Sequence, residues 1–427
     1  MKVAFYALGC KVNQYEIDCY AKMFRDKGWE VGAFDEECDV YVINTCAITN
    51  IGERKSRQFI RRAKKKNPLA LVAVTGCYAQ TKTDEIKKIA EADVVLGTDS
   101  RARIVEIVEA KLRGEDIDVV SDIMKTRLYE ELECEGETER TRAYIKIQDG
   151  CDNFCSYCIV PYARGPVRSR DIKNIVKEAH RLAEKGFCEV VLTGISVTSY
   201  GKDLKDKPSL KDVIKAVCNV DGIERVRLSS IDPRAFDDMF IEFIANEKKM
   251  CRHFHISLQS GSTAVLKRMN RKYTAQEYLD TLSKIRTAMP DAGITTDIIC
   301  GFPGETDEEF NETMDFVEKA QFLKVHVFPY SERSGTVAAQ MQQIPHAIRE
   351  KRAAELAEKT DSIAKKVEDS FIGKTFPVLF EQSDKEYTEG LAGNYLRIFV
   401  PRDETLEGKI KRVLITDRKD SRLIGEI

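Results

Sequence analysis

The chain of 427 residues is long enough for two or three domains, and 43% hydrophobic with 32% charged residues is ordinary for a globular protein. A formal net charge of −2 excludes a global electrostatic footprint for nucleic acid, so any basic surface must be local. The start, MKVAFYALGCKVNQYE, lacks the features of a signal peptide and no apolar run nears a membrane span, so a cytoplasmic location is expected. Thirteen cysteines without a sign of secretion point to metal or catalytic use rather than disulfides.

Residues 1–112 alternate strand and helix. Strands are predicted at 2–8, 39–45, 69–76 and 93–97, with helices at about 14–27, 49–66 and 83–91. Asn13 is the expected N-cap of the first helix, with Glu16 as its capping-box partner. The alternation predicts a doubly wound parallel sheet. Cys10, Cys46 and Cys77 each follow the carboxyl end of a strand. In an open α/β sheet those ends share the ligand-binding edge. Any one of these cysteines alone reads as a small buried hydrophobe. Three in the same slot read as a site.

Residues 113–141 read as a linker, because EELECEGETE is acidic and lacks core periodicity; Cys134 within it is not expected to be a ligand. From 142 to 369 six strands alternate with helices, at 143–148, 188–194, 224–230, 253–259, 293–301 and 323–331. That pattern predicts a parallel barrel or part of one, closed by a charged helix from Pro345 to about Ser370. Residues 370–427 break into short β-type runs and predict a small all-β barrel.

The first strand of the central region runs into CDNFCSYC, with Cys151, Cys155 and Cys158 spaced C-x3-C-x2-C. A zinc knuckle would need a fourth ligand, and no paired second C-x2-C exists. The segment resembles the radical SAM superfamily signature instead. That resemblance implies a 4Fe-4S cluster whose fourth iron binds S-adenosylmethionine, and one-electron cleavage of the cofactor to a 5′-deoxyadenosyl radical. LTGISVTSYG, with Thr193 and Gly194, resembles the segment that contacts the cofactor's amino group. Ser229 and Ser230 end a strand where ribose hydroxyls are often bound. HISLQSGS, with Gln259, and DIICGFPGET resemble later cofactor-facing segments, the second placing Gly301, Gly304 and Glu305 near the adenine. These segments read equally as tight βα turns. Arg271 either meets the cofactor carboxylate or sits on a solvated helix face.

Taken over nearly its full length, the chain resembles the methylthiotransferases: an N-terminal α/β domain, a central partial (β/α)6 radical SAM barrel and a C-terminal TRAM barrel. The resemblance implies a second, auxiliary 4Fe-4S cluster on Cys10, Cys46 and Cys77. It also implies two S-adenosylmethionine, tRNA as partner, and an unidentified electron donor and sulfur source. GCKVNQYE looks like the MtaB branch, which acts on N6-threonylcarbamoyladenosine at position 37 of tRNA, more than the MiaB branch, which typically has GCQMN there. A RimO-like protein substrate and a zinc-containing RNA-binding protein are the alternatives. For RNA, Arg397, Lys409, Lys411 and Arg412 lie among Tyr395 and Phe399 in the barrel. The stripe Arg54, Arg57, Arg61, Lys64 and Lys65 reads as either a phosphate contact or a solvated helix face. Cys19, Cys38, Cys188, Cys218, Cys251 and Cys300 are expected to be structural.

Overall fold

The computed structural model describes residues 1–427 apart from 116, 118 and 137–139. In the N-terminal region β1 (Lys2–Ala7), β2 (Glu30–Gly32), β3 (Val40–Thr45), β4 (Leu71–Gly76) and β5 (Val94–Val95) form one parallel sheet in the order β2-β1-β3-β4-β5. VYVINT and LVAVTG are buried at every position, as strands covered on both faces must be. The three-residue strand β2 and the helix Ile104–Leu112 were not anticipated.

The first helix starts at Lys11 rather than near Gln14, with Cys10 at its N-cap. The cause is Gly9. It takes φ +94°, and a Cβ there would lie 2.7 Å from Cys46 Sγ, so only glycine permits so abrupt a turn. Asn13 is therefore inside the helix and caps nothing. Its amide donates to the Leu8 carbonyl (2.7 Å) and the Thr45 carbonyl (3.1 Å), tying the ends of β1 and β3 together. Glu16 is likewise not a capping partner but part of a buried ionic network.

The central region carries six parallel strands: β6 (Arg142–Asp149), β8 (Glu189–Gly194), β9 (Arg225–Leu228), β10 (His253–His255), β11 (Gly293–Cys300) and β12 (Lys324–Pro329). A two-residue strand β7 (Arg168–Ser169) pairs antiparallel with β6 at the edge. The order is β7-β6-β8-β9 and β10-β11-β12, and single bridges Val226–Met250 and Ile231–Ile256 join the halves into an open barrel. Apolar faces of the surrounding helices complete the core, for example Ile175, Ala179 and Leu182 of helix Ile172–Glu184. The long helix His346–Asp369 packs Ala353, Leu356 and Ile363 into the same core.

The acidic segment expected to be a linker is a strap laid across both regions. Leu132 and Cys134 are buried in the N-terminal core. Glu130 pairs with Arg101, Glu131 with Arg170, and Glu133 is shared between Lys22 and Arg181. The burial anchors the strap, since exposed ion pairs contribute only about 0–1 kcal/mol each.

At the C-terminus β13 (Thr375–Ser383), β14 (Tyr387–Ala392), β15 (Arg397–Pro401), β16 (Ile410–Lys419) and β17 (Arg422–Glu426) close a barrel in the order β13-β14-β15-β17-β16. It docks on β9. Arg225 donates to the Leu391 and Pro377 carbonyls, Arg227 to those of Gly393 and Ala392, and Glu189 pairs with both arginines. Gly293 admits the Asn394 carbonyl so closely that a Cβ would lie 1.9 Å from it.

Candidate functional site

All six cysteines of the two triads line one cavity of about 650 Å³ between the N-terminal and central regions. Cys10, Cys46 and Cys77 arrive from the carboxyl ends of β1, β3 and β4; Cys151, Cys155 and Cys158 from the loop after β6. Part of the remaining rim also comes from the carboxyl ends of strands, including Thr193, Gly194, Ser229 and Ser230. A smaller cavity of about 260 Å³ adjoins it, lined mainly by apolar and aromatic groups such as Tyr157, Ile299 and Tyr330, with Cys158 and Gln259 at its wall.

Among the described residues, His255, Asp297 and His326 bring three ligand atoms within 4.8 Å of one another. Each cysteine triad supplies three thiols and leaves a fourth position open, a donor set that suits an iron–sulfur cluster.

Charge beneath the first triad agrees. Glu16 and Asp149 are buried against Arg101, Lys146, Arg164 and Arg168, which are buried too. Glu16 accepts from Arg101 (2.5 Å), Lys146 (2.9 Å), Arg164 and Asn44 (3.0 Å); Asp149 accepts from Arg101 and Lys146 at 2.7 Å. Burial works against ionisation of Glu16, but Arg164, Lys146 and Arg101 hold its carboxyl well below the usual range. The network has more cations than carboxylates, and its excess points at sulfur: Arg164 Nε lies 3.2 Å from Cys77 Sγ. Burial, then neighbouring Cys77, pushes the Cys46 thiol up to about 12; burial, then Cys155, does the same to Cys158. A metal cluster held there would displace those protons and leave an anionic thiolate set that the buried cations suit.

Arg271 resolves to the site rather than to a solvated face. It is half-buried, reaches Cys155 Sγ at 3.5 Å and the Ser257 carbonyl at 3.3 Å, and pairs with Asp232 at 3.6 Å. Ser229 Oγ is buried at the cavity wall with no hydrogen-bond partner among the described residues, the kind of atom a bound hydroxyl satisfies. Gln259 takes φ +75° where the HFHISLQ run bends out of its strand into the smaller cavity.

Gly301 and Glu305 lie elsewhere, which corrects their expected place beside the adenine. A Cβ on Gly301 would strike Arg349 at 2.4 Å, and Glu305 pairs with Arg352 at 2.8 Å while accepting from the Gly301 N–H. Both brace the turn against the long helix. In the same segment Ile299 is the residue that reaches the smaller cavity.

On the C-terminal barrel, Lys409, Lys411 and Arg412 are exposed, while Arg397 pairs with Glu389. Tyr395 is turned away from them. It stacks on His253 at 4.0 Å and lines the large cavity. On helix Asn50–Lys66, Arg57 binds Tyr78 and Lys64 pairs with Asp93, leaving Arg54, Arg61 and Lys65 exposed. No helix among the described residues is long and apolar enough to cross a membrane.

Sequence reasoning did not find Arg164, Lys11 or the histidine–aspartate group. Lys11 lines the cavity directly after Cys10; it is open to the cavity yet surrounded by protein, and burial, then Arg142 and Arg227, holds its amine down at about 8. Its place next to Cys10 was a signal available in the sequence.

Comparisons with known proteins agree with this layout. Residues 145–317 match the radical SAM superfamily, and residues 2–97 match a family described as Uncharacterized protein family UPF0004. The chain is 43% identical to the threonylcarbamoyladenosine tRNA methylthiotransferase MtaB of Bacillus subtilis, over 97% of this chain and 93% of that protein. It is 36% identical to the tRNA-2-methylthio-N(6)-dimethylallyladenosine synthase of Alkaliphilus oremlandii, over 98% and 91%. In fold it is similar to the radical S-adenosylmethionine methyltransferase TsrM of Kitasatospora setae, with a TM-score of 0.58 at 16% identity over 79% of this chain and 77% of that one.

Proposed function

The chain belongs to the radical SAM methylthiotransferases of the MtaB type, and we propose that it replaces the hydrogen at C2 of N6-threonylcarbamoyladenosine in tRNA, at position 37, with a methylthio group. The observation that carries this reading is the opening of both cysteine triads onto one cavity. Cys151, Cys155 and Cys158 would hold a 4Fe-4S cluster with S-adenosylmethionine, and Cys10, Cys46 and Cys77 a second one; bound there, they supply one-electron cleavage of the cofactor and a sulfur to be methylated and transferred.

The chain's own residues bind, orient and exclude water. Tyr157, Ile299 and Tyr330 line a largely apolar cavity beside Cys158, suited to the adenine of the cofactor. Ser229 supplies a hydroxyl for the ribose. Thr193 and Gly194 line the wall expected to meet the cofactor's amino group. Arg271, fixed by Asp232 and Tyr273, places a cation beside Cys155 where the cofactor carboxylate would lie. Arg164 holds the Cys77 sulfur from below, and Asn13 ties β1 to β3 so that their cysteines keep a fixed separation. Lys409, Lys411 and Arg412 offer an RNA-facing patch on the barrel.

The test is anaerobic purification and a reaction with defined RNA. The protein should carry about eight irons and eight labile sulfides per chain if both clusters are 4Fe-4S. Given reductant, S-adenosylmethionine and tRNA bearing threonylcarbamoyladenosine, it should yield the 2-methylthio nucleoside by mass spectrometry. A colourless zinc protein would overturn the cluster assignment. Product from dimethylallyladenosine alone would overturn the substrate.

A further inference from the structure

Resting on the substrate just proposed, we infer that Lys11 and His326 form the subsite for the N6 substituent, with the Lys11 ammonium pairing with its carboxylate.

The substituent is demanding. A threonylcarbamoyl group carries one carboxylate, one hydroxyl and a urea, so a cavity that accepts it needs a cation and hydrogen-bonding groups. Its place is constrained as well. C2 and the C6 that bears N6 flank the same ring nitrogen of the purine, so the substituent must lie close to wherever sulfur meets C2. Lys11 follows Cys10 directly at the first triad and lines the same cavity.

Other cations near this wall are already engaged. Arg142 pairs with Glu381 (2.7 Å), Arg227 with Glu189 (2.7 Å) and Arg271 with Asp232. The Lys11 side chain makes no hydrogen bond or ion pair among the described residues; Glu189 and Asp297 act on it only through space. A buried carboxylate satisfied by such a cation gains a charge-assisted hydrogen bond, the stronger kind.

The facing wall is set up to donate and accept. His255 has both ring nitrogens occupied, Nδ1 by Thr295 Oγ1 (2.9 Å) and Nε2 by Asp297 Oδ2 (3.1 Å). This fixes the ring and engages Asp297 Oδ2. His326, 5.9 Å from His255 between ring centres, has no such partners among the described residues and is exposed to the cavity. Its ring nitrogens suit the hydroxyl or the urea.

The experiment uses the full chain with both clusters loaded, and two anticodon stem-loops: one bearing threonylcarbamoyladenosine, the other its derivative with the carboxylate converted to an amide. Binding is read by fluorescence anisotropy and turnover by kcat/KM. Wild type should prefer the acid by about tenfold to a hundredfold, the range of a hydrogen bond to a charged group. Lys11→Gln should lose that preference, weakening on the acid and changing little on the amide; Lys11→Arg should keep part of it. Iron and sulfide content equal to wild type is the control for folding and loading. Equal losses on both RNAs in Lys11→Gln, or an unchanged preference, would overturn the inference. Wild type inactive on the acid but active on dimethylallyladenosine would instead overturn the substrate reading on which it rests.

Discussion

Glu16→Gln is the sharpest test of how the two cluster-bearing regions are held together. Glu16 and Arg101 belong to the N-terminal region, while Lys146, Asp149 and Arg164 belong to the central one, so the network spans their interface. Glutamine keeps the shape but removes one of the two buried carboxylates facing four buried cations. Its amide also turns a donor toward groups that only donate. Breaking a buried ion pair from one side costs about 3–5 kcal/mol. At a urea m-value of about 3 kcal/mol per M, the unfolding midpoint should fall by about 1–1.7 M. Trp29, the only tryptophan in the chain, is buried in the N-terminal core and reports that region by fluorescence. The effect has a pH signature. The folded carboxyl titrates well below its unfolded value of about 4.3, so its stabilisation is complete above that value and is lost as pH falls toward the folded one. The gap between wild type and variant should therefore narrow below about pH 4–5. A midpoint shift under about 0.3 M at pH 7, near 1 kcal/mol, would refute the reasoning.

Cys46→Ala should abolish methylthiolation and leave about four irons instead of eight, while reductive cleavage of S-adenosylmethionine stays measurable; methylthiolation at the normal rate would contradict the two-cluster assignment. Reversing Lys409, Lys411 and Arg412 to Glu should weaken tRNA binding and reduce the slope of log K against log salt by up to about 3. An unchanged slope, measured by filter binding between low and moderate salt, would move the RNA contact to another surface such as Arg54, Arg61 and Lys65.

What could be read in advance followed local periodicity. Cys10, Cys46 and Cys77 were legible as a set because β-loop-α alternation puts each at a strand's carboxyl end, and the sheet brings those ends together. CDNFCSYC was legible because its spacing is itself the ligand geometry. The supporting residues were not, because their partners are remote: Arg164 meets Glu16 across 148 residues, and Arg225 reaches Leu391 across 166. Asn13 followed a capping pattern that the strained turn at Gly9 overrode. Gly301 and Glu305 share a cofactor-facing segment, but the chain turns at Gly301, after β11 ends, and leaves them against the long helix. The acidic strap lacked periodicity because two buried side chains, Leu132 and Cys134, are enough to hold it.

That strap has a mechanical consequence. It lies along the seam of the two regions, next to the charge network that joins them, and Glu133 grips a base on either side. The strap and the network together resist a change in the distance between the triads. An adenine that reaches the cavity has to turn out of the anticodon stack, at a cost of a few kcal/mol. Selection of one nucleotide then becomes partly a matter of which base leaves its neighbours most easily.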